Sequence, residues 1–220
     1  MIKKIKDCGK KIKRGWKLKS ADPNEIILEN PKYGRIEVVA NCFGGYDQII
    51  QVEPSGSAII VLADESKNKI YLHTEHRPAV IKNNAPKIKK GNLYIPFDYL
   101  GGDSIETVRG YSEGDWLKTA VREIKQETGY NVTKKDLKKL GYIIKDTLTT
   151  AFNLTVVLAK HDSRDKFRKL SKEESRKIKN RKWYPLEEVK EMIRKNKIVC
   201  ALTLAALNLY FQKINKKVVK

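Results

Sequence analysis

The chain has 220 residues, of which 40% are hydrophobic, and a formal net charge of +20. That length and apolar content suffice for one packed domain with an appendage, or at most two small ones. No apolar run reaches the length of a membrane span, and the basic start has no apolar stretch behind it, so a membrane protein and a secretory signal are both excluded as readings.

Residues 1–22 form a Lys-rich arm, helical or extended, with Ile2, Ile5, Ile12, Trp16 and Leu18 scattered through it. Asp22-Pro23 is a turn signal. Strands are predicted at 25–31, 35–40 and 47–52, broken by Pro31, Gly34 and Gly44-Gly45. Their apolar faces lack an evident partner within one domain, which predicts a homodimer with contacts in residues 25–50. The continuous apolar run at 57–63 predicts a strand buried on both faces. Residues 64–68 make the loop of a hairpin whose second strand is 69–77. His73 and His76, three apart on that strand, face opposite sides and cannot jointly hold a metal. Arg77 ends it, with a planar fork suited to a phosphate, a base or a local carboxylate. Residues 82–99 read as a long connection over the sheet.

The most informative stretch is 106–130. Leu117, Ala120, Val121 and Ile124 fall on one apolar face of a helix, with Asp115 as N-cap and Gly129 as its left-handed stop. Glu123 and Glu127 are four apart, so both carboxylates project from the same stripe. Adjacent anions weaken a bare helix, and a divalent cation such as Mg²⁺ gives them a purpose, since it takes one or two protein carboxylates. Arg122-Glu123-Ile124-Lys125-Gln126-Glu127-Thr128-Gly129-Tyr130 resembles the second half of the Nudix hydrolase box, G-x5-E-x7-R-E-U-x-E-E-x-G-U. Gln126 and Tyr130 depart from that pattern. Gly110 stands twelve positions before Arg122 where the box has fourteen, and Gly114 occupies the place of a glutamate, flanked by Glu113 and Asp115. Glu106-Thr107-Val108-Arg109-Gly110 resembles the family's E-x-P-x-G lead-in, with Val108 for proline.

Beyond the box, strands are predicted at 139–144 and 153–159, then a charged, mobile-looking loop at 161–182 containing Glu173 and Glu174. Trp183-Tyr184-Pro185 leads into a helix with Leu186, Val189 and Ile193 on one face, and a closing apolar helix runs from 198 to 211. The order of these segments, and loosely that of 25–52, resembles the ADP-ribose pyrophosphatase branch of the Nudix proteins. That branch usually carries a proline about fifteen residues past the box, where this chain has Lys145 and Asp146.

The resemblance implies an α/β/α sandwich on a mixed sheet, with an additional N-terminal antiparallel sheet. The implied division is an arm at 1–22, antiparallel strands at 23–53 and a catalytic domain at 54–215. It implies Mg²⁺, or Mn²⁺, held by Glu123, Glu127, the Arg109 carbonyl and Glu113. Arg122 would orient a box glutamate, Glu173 or Glu174 would act on the attacking water, and Arg77, Glu106 and Arg109 would meet substrate. The implied reaction is hydrolysis of a nucleoside diphosphate linked to a second group, foremost ADP-ribose or another nucleotide sugar. A nucleotide-binding protein without turnover and an RNA 5′-end or cap-processing enzyme stay open. The basic residues are mostly Lys, spread among Ile and Asn, so the charge reads as compositional and RNA is the less favoured partner. Cys8, Cys42 and Cys200 are odd in number and far apart, which reads as reduced thiols of a cytoplasmic protein.

Overall fold

The computed structural model describes residues 17–18, 25–30, 34–42, 46–52, 57–77, 102–111, 114–144 and 153–218, and side chains within 57–77, 102–111, 114–144 and 154–215. Strands β1 (Lys17–Leu18), β2 (Glu25–Asn30), β3 (Gly34–Cys42) and β4 (Tyr46–Val52) form a four-stranded antiparallel sheet in chain order. The expected connection at 82–99 lies outside the described residues, as does the loop at 145–152.

A second sheet of seven strands carries the remainder. Its order is β11 (Ile178–Pro185), β6 (Lys69–Arg77), β5 (Ala58–Asp64), β10 (Asn153–Lys160), β9 (Leu137–Ile144), with β7 (Gly102–Glu106) paired to β6 and β8 (Val108–Gly110) paired to β5. β5 and β10 run parallel and the other pairs antiparallel, so the sheet is mixed. β5 is buried along its whole length, as an apolar strand covered on both faces must be. Its alternate residues divide the core. Ile59, Val61 and Ala63 pack with α3 (Leu186–Arg194) and α4 (Ala201–Val218), whereas Ala58, Ile60 and Leu62 pack with α1 (Trp116–Thr128). Helices therefore cover both faces of the sheet, which makes an α/β/α sandwich.

Helix α1 is bounded as its sequence predicts. Asp115 Oδ1 accepts from the amides of Leu117 at 2.9 Å and Lys118 at 3.4 Å, and Gly129 takes φ of 80° with its amide on the Lys125 carbonyl. Its buried stripe is centred on Ala120, Glu123, Ile124 and Glu127, with Leu117 and Val121 at the margin. Asp115→Ala is expected to cost about 1 kcal/mol, the usual worth of an N-cap, as a lowered midpoint in denaturant unfolding.

One expectation is corrected. Residues 161–182 are not one long loop. A short helix, α2 (Glu174–Lys177), passes straight into edge strand β11, which pairs with β6 from Ile178↔Glu75 to Pro185↔Lys69. The charged residues that suggested a loop, Lys179, Arg181 and Lys182, are those tolerated on a sheet edge, where outward charges also discourage further pairing. The segment before it is pinned from several sides. The Ser163 amide donates to Asp64 at 2.9 Å, the Tyr130 hydroxyl to the Asp165 carbonyl at 2.9 Å, and Arg181 to the carbonyls of Thr128 and Arg168 at 3.0 Å each.

Candidate active site

The site grows from the strand period of β6. Tyr71, His73, Glu75 and Arg77 share the face turned toward α1, passing from core to rim. Tyr71 is fully buried, with its hydroxyl 3.4 Å from the Glu127 carbonyl. His73 and Glu75 are 1% and 7% exposed, whereas His76 on the opposite face is exposed and lies 3.1 Å from Asp103. β7 sets Glu106 opposite His73. Arg77 donates to Glu106 from Nε at 3.2 Å and Nη2 at 2.9 Å, and its Nη2 stands 2.5 Å from Glu75. Arg109 reaches the same Glu106 oxygen at 3.0 Å. Glu75, Arg77, Glu106 and Arg109 thus form a chain of alternating charge, and the Arg77 fork lies on local carboxylates.

Helix α1 brings Glu123 and Glu127 over this row, 8% and 6% exposed. Gly110 explains itself here. A Cβ at that position would fall 2.0 Å from Glu123 Oε1, so no side chain fits between β8 and the carboxylate. Arg122 Nη2 lies 2.8 Å from Glu123 Oε1 and donates to the Tyr111 carbonyl at 2.6 Å, bracing the glutamate against the preceding loop. Glu127 accepts a hydrogen bond from the Arg109 amide at 3.3 Å. His73 Nε2 faces Glu75 Oε2 at 3.7 Å and Glu127 Oε2 at 3.9 Å, distances too long for hydrogen bonds.

Burial and crowding set the electrostatics. Burial pushes Glu123 up to about 7, with the charges of Glu174 and Glu75 adding to it and Arg122 opposing. Glu127 is raised well above the carboxylate range by burial, then by Glu75 and Glu123. Burial would also raise Glu75, but His73 and the Arg77 guanidinium outweigh it and hold the group below its ordinary value. Two carboxylates raised chiefly by burial, with neighbouring acids adding to it, are short of positive charge, and a hard divalent cation between them supplies it. The donor set fits such an ion, although among the described residues no three acid, His or Cys side chains are already arranged to hold one.

A stability prediction follows from the signs. Groups whose folded pKa lies above the unfolded one favour the fold while protonated, and that contribution is lost as pH rises through the folded value. In EDTA, stability should fall between pH 5 and about 8. Glu123→Gln should remove roughly 1–3 kcal/mol of that fall. Urea midpoints across this range check it, and identical slopes for the two proteins would refute the assignment.

The 161–177 segment completes the site and separates its two acids. Glu173 is 78% exposed at its side chain and pairs with Lys177 at 3.0 Å. Glu174 is 22% exposed, its amide accepted by Ser171 Oγ at 3.1 Å, and its charge is felt at Glu123. Glu113 lies outside the described residues. The structure therefore brings together Arg77, Glu106, Arg109, Arg122, Glu123, Glu127 and Glu174, and leaves Glu173 at the rim. It also adds Glu75, His73 and Lys177, which the sequence reading did not select. The alternation along β6 was the signal available for the first two.

No family model matches the chain, and neither does any curated protein. Among solved structures, one described as an ADP compounds hydrolase aligns over 92% of this chain and 93% of its own, with 13% identity and a TM-score of 0.58. A NUDIX hydrolase from Nitrosomonas europaea aligns over 73% of this chain and 90% of its own, with 15% identity and a TM-score of 0.48. The fold assignment rests on the first, together with a mixed sheet covered on both faces and a box helix presenting Glu123 and Glu127 to one cluster. On these grounds the chain has the Nudix fold.

Proposed function

We propose that this protein is a Mg²⁺-dependent hydrolase of a nucleoside diphosphate linked to a second group, with ADP-ribose or a related nucleotide sugar as the leading substrate. The observation that carries the reading is the pair of buried carboxylates Glu123 and Glu127, both raised by burial and by neighbouring acids. They sit on one stripe of α1, in a fold shared with a protein described as an ADP compounds hydrolase. Glu123 and Glu127 would hold the cation, with Glu75 beside them. When bound, such a cation neutralises pyrophosphate oxygens and makes water a stronger nucleophile.

The chain's own residues do the rest. Arg122 fixes Glu123 from one side and the Gly110 backbone crowds it from the other, so the carboxylate has little room to turn. The Arg109 amide holds Glu127 in place. Glu174, partly buried on a pinned segment and felt electrostatically at Glu123, would accept the proton of an attacking water. Arg77 and Arg109 are each tied to Glu106, and a phosphate would compete with that carboxylate for their donors.

A phosphate-release screen with Mg²⁺ or Mn²⁺ over nucleotide sugars, dinucleoside polyphosphates, CoA and capped RNA tests the reading. Turnover of ADP-ribose or another nucleotide sugar is expected. Nucleotide binding without any hydrolysis would replace it with a binding protein, and cap-selective turnover with an RNA 5′-end enzyme. The proposed division is 1–22, 23–53 and 54–215, with residues 25–50 contributing contacts between two copies. Light scattering should give a dimer at micromolar concentration, and a monomer unaffected by deleting residues 1–45 would exclude that role.

A further inference from the structure

The Arg181 side chain joins three separate parts of the chain. β11 loses register with β6 between Lys179 and Lys182, and Asn180 in that gap takes φ of 49°. A bulge of this kind re-aims the side chain beside it, and bulges gather next to active sites. From there Arg181 Nη1 donates to the Thr128 carbonyl and to the Arg168 carbonyl, each at 3.0 Å. Its guanidinium carbon lies 5.1 Å from the centre of the Phe167 ring.

Both acceptors bear on the site. Thr128 ends α1 and directly follows Glu127, and the last carbonyls of a helix lack intrahelical donors and favour a cation. Arg168 precedes the stretch 169–177 that carries Glu174, and Ile178, paired with Glu75, follows it. Within that stretch the Glu174 amide donates to Ser171 Oγ at 3.1 Å and the Ser175 amide to the Ser171 carbonyl at 3.0 Å. Such local bonds shape the turn without fixing it to α1. The two backbones also touch, since a Cβ on Gly129 would fall 2.8 Å from Arg168 Cβ and 3.1 Å from its carbonyl oxygen. A planar guanidinium donates to both carbonyls while lying over a ring, a combination that a flexible ammonium does not reproduce.

We infer that Arg181 is a positioning residue, which clamps the 161–177 segment to the end of the box helix and thereby fixes where Glu174 stands relative to Glu123 and Glu127. The inference rests on the proposed hydrolytic reading, with Glu174 as its base, and adds the residue that sets that base in place.

Hydrogen exchange read by mass spectrometry on the full chain, without substrate, tests the clamp. In Arg181→Gln the amides of 169–177 should exchange about tenfold faster, while those of β5 stay protected. The kcat should fall roughly ten- to hundredfold, the cost of a misplaced catalytic group, with KM and Mg²⁺ affinity within a few-fold. Arg181→Lys should show the same changes in smaller measure, and it carries the test if Arg181→Gln does not fold. Lys182→Gln removes a neighbouring cation from the same strand and should change neither. In a Glu174→Gln background, Arg181→Gln should cost no further rate, because it acts through that residue. Unchanged exchange in 169–177, or an undiminished kcat despite faster exchange, overturns the inference. So does an equal loss of rate in the Glu174→Gln background. A wild type with no turnover in the phosphate-release screen overturns the hydrolytic reading instead, and the exchange result still decides the clamp.

Discussion

Glu127→Gln should lower kcat by roughly 10²–10⁴, the range seen when a group acting electrostatically in the transition state is lost. The substitution keeps the length and shape of the side chain. It retains an acceptor for the Arg109 amide and deletes one of the charges that would hold the cation. Glu123→Gln should do the same, with a difference in how it is braced, since Arg122 loses its anionic partner at 2.8 Å. Neither variant should be less stable than wild type in EDTA, because both carboxylates are raised by burial and removing one relieves the repulsion on the other. The checks are steady-state kinetics with Mg²⁺ titrated over a wide range and thermal melts in chelator. Higher Mg²⁺ should restore part of the lost rate if metal affinity is what suffers. Full activity in either variant would remove these carboxylates from the chemistry. Gln126→Glu, which restores the acid of the box pattern, should tighten Mg²⁺ binding. Gln126 now lies 3.4 Å from Arg122 Nη1.

What could be read from the sequence was what is local. The cap at Asp115, the stop at Gly129 and the shared stripe of Glu123 and Glu127 are all separations of a few residues along one helix, where periodicity fixes direction. The buried strand β5 was legible for the same reason, since six consecutive apolar residues, Ala58 to Ala63, leave little choice of environment. The departure at Tyr130 was legible as an oddity but not as a reason. Its ring lies 4.0 Å from that of His161 and 5.5 Å from Phe167, and its hydroxyl accepts from the Trp183 indole at 3.1 Å. An aromatic residue there closes a cluster assembled from three distant segments. Contacts of that kind leave no spacing to detect.

The rest of the site was hidden by the same non-locality. His73 and Glu75 meet Glu127 only because the sheet brings β6 beneath α1, and nothing in the heptapeptide around them announces it. The pattern on β6 was nonetheless present, with positions 71, 73, 75 and 77 on one face. Its meaning depended on knowing which face α1 covers. Residues 161–177 looked mobile because they are charged and irregular. Their order comes from single hydrogen bonds to Asp64, Tyr130 and Arg181, each from a different element.

That pinned segment leads to the second large effect. Glu174→Gln should lower kcat by roughly 10²–10³ while leaving KM within a few-fold, and Glu173→Gln should leave both near wild type. The two acids are adjacent in sequence, yet the fold treats them differently. Glu173 is 78% exposed at its side chain and paired with Lys177, an arrangement that solvent screens and that contributes little. Glu174 is 22% exposed, and its charge helps to raise Glu123. A general base must reach the water it deprotonates, and Glu174 is the more buried of the two and contributes to the field at Glu123. Loss of a metal ligand and loss of a base can be told apart. Mg²⁺ affinity should be nearly unchanged in Glu174→Gln and weakened in Glu127→Gln, and added Mg²⁺ should not rescue the former. A dead Glu173→Gln beside an active Glu174→Gln would transfer the role to its neighbour and require the segment to turn over before reaction. Full activity in both would take this segment out of the proton transfer and leave the base to be sought among the acids of β6 and α1.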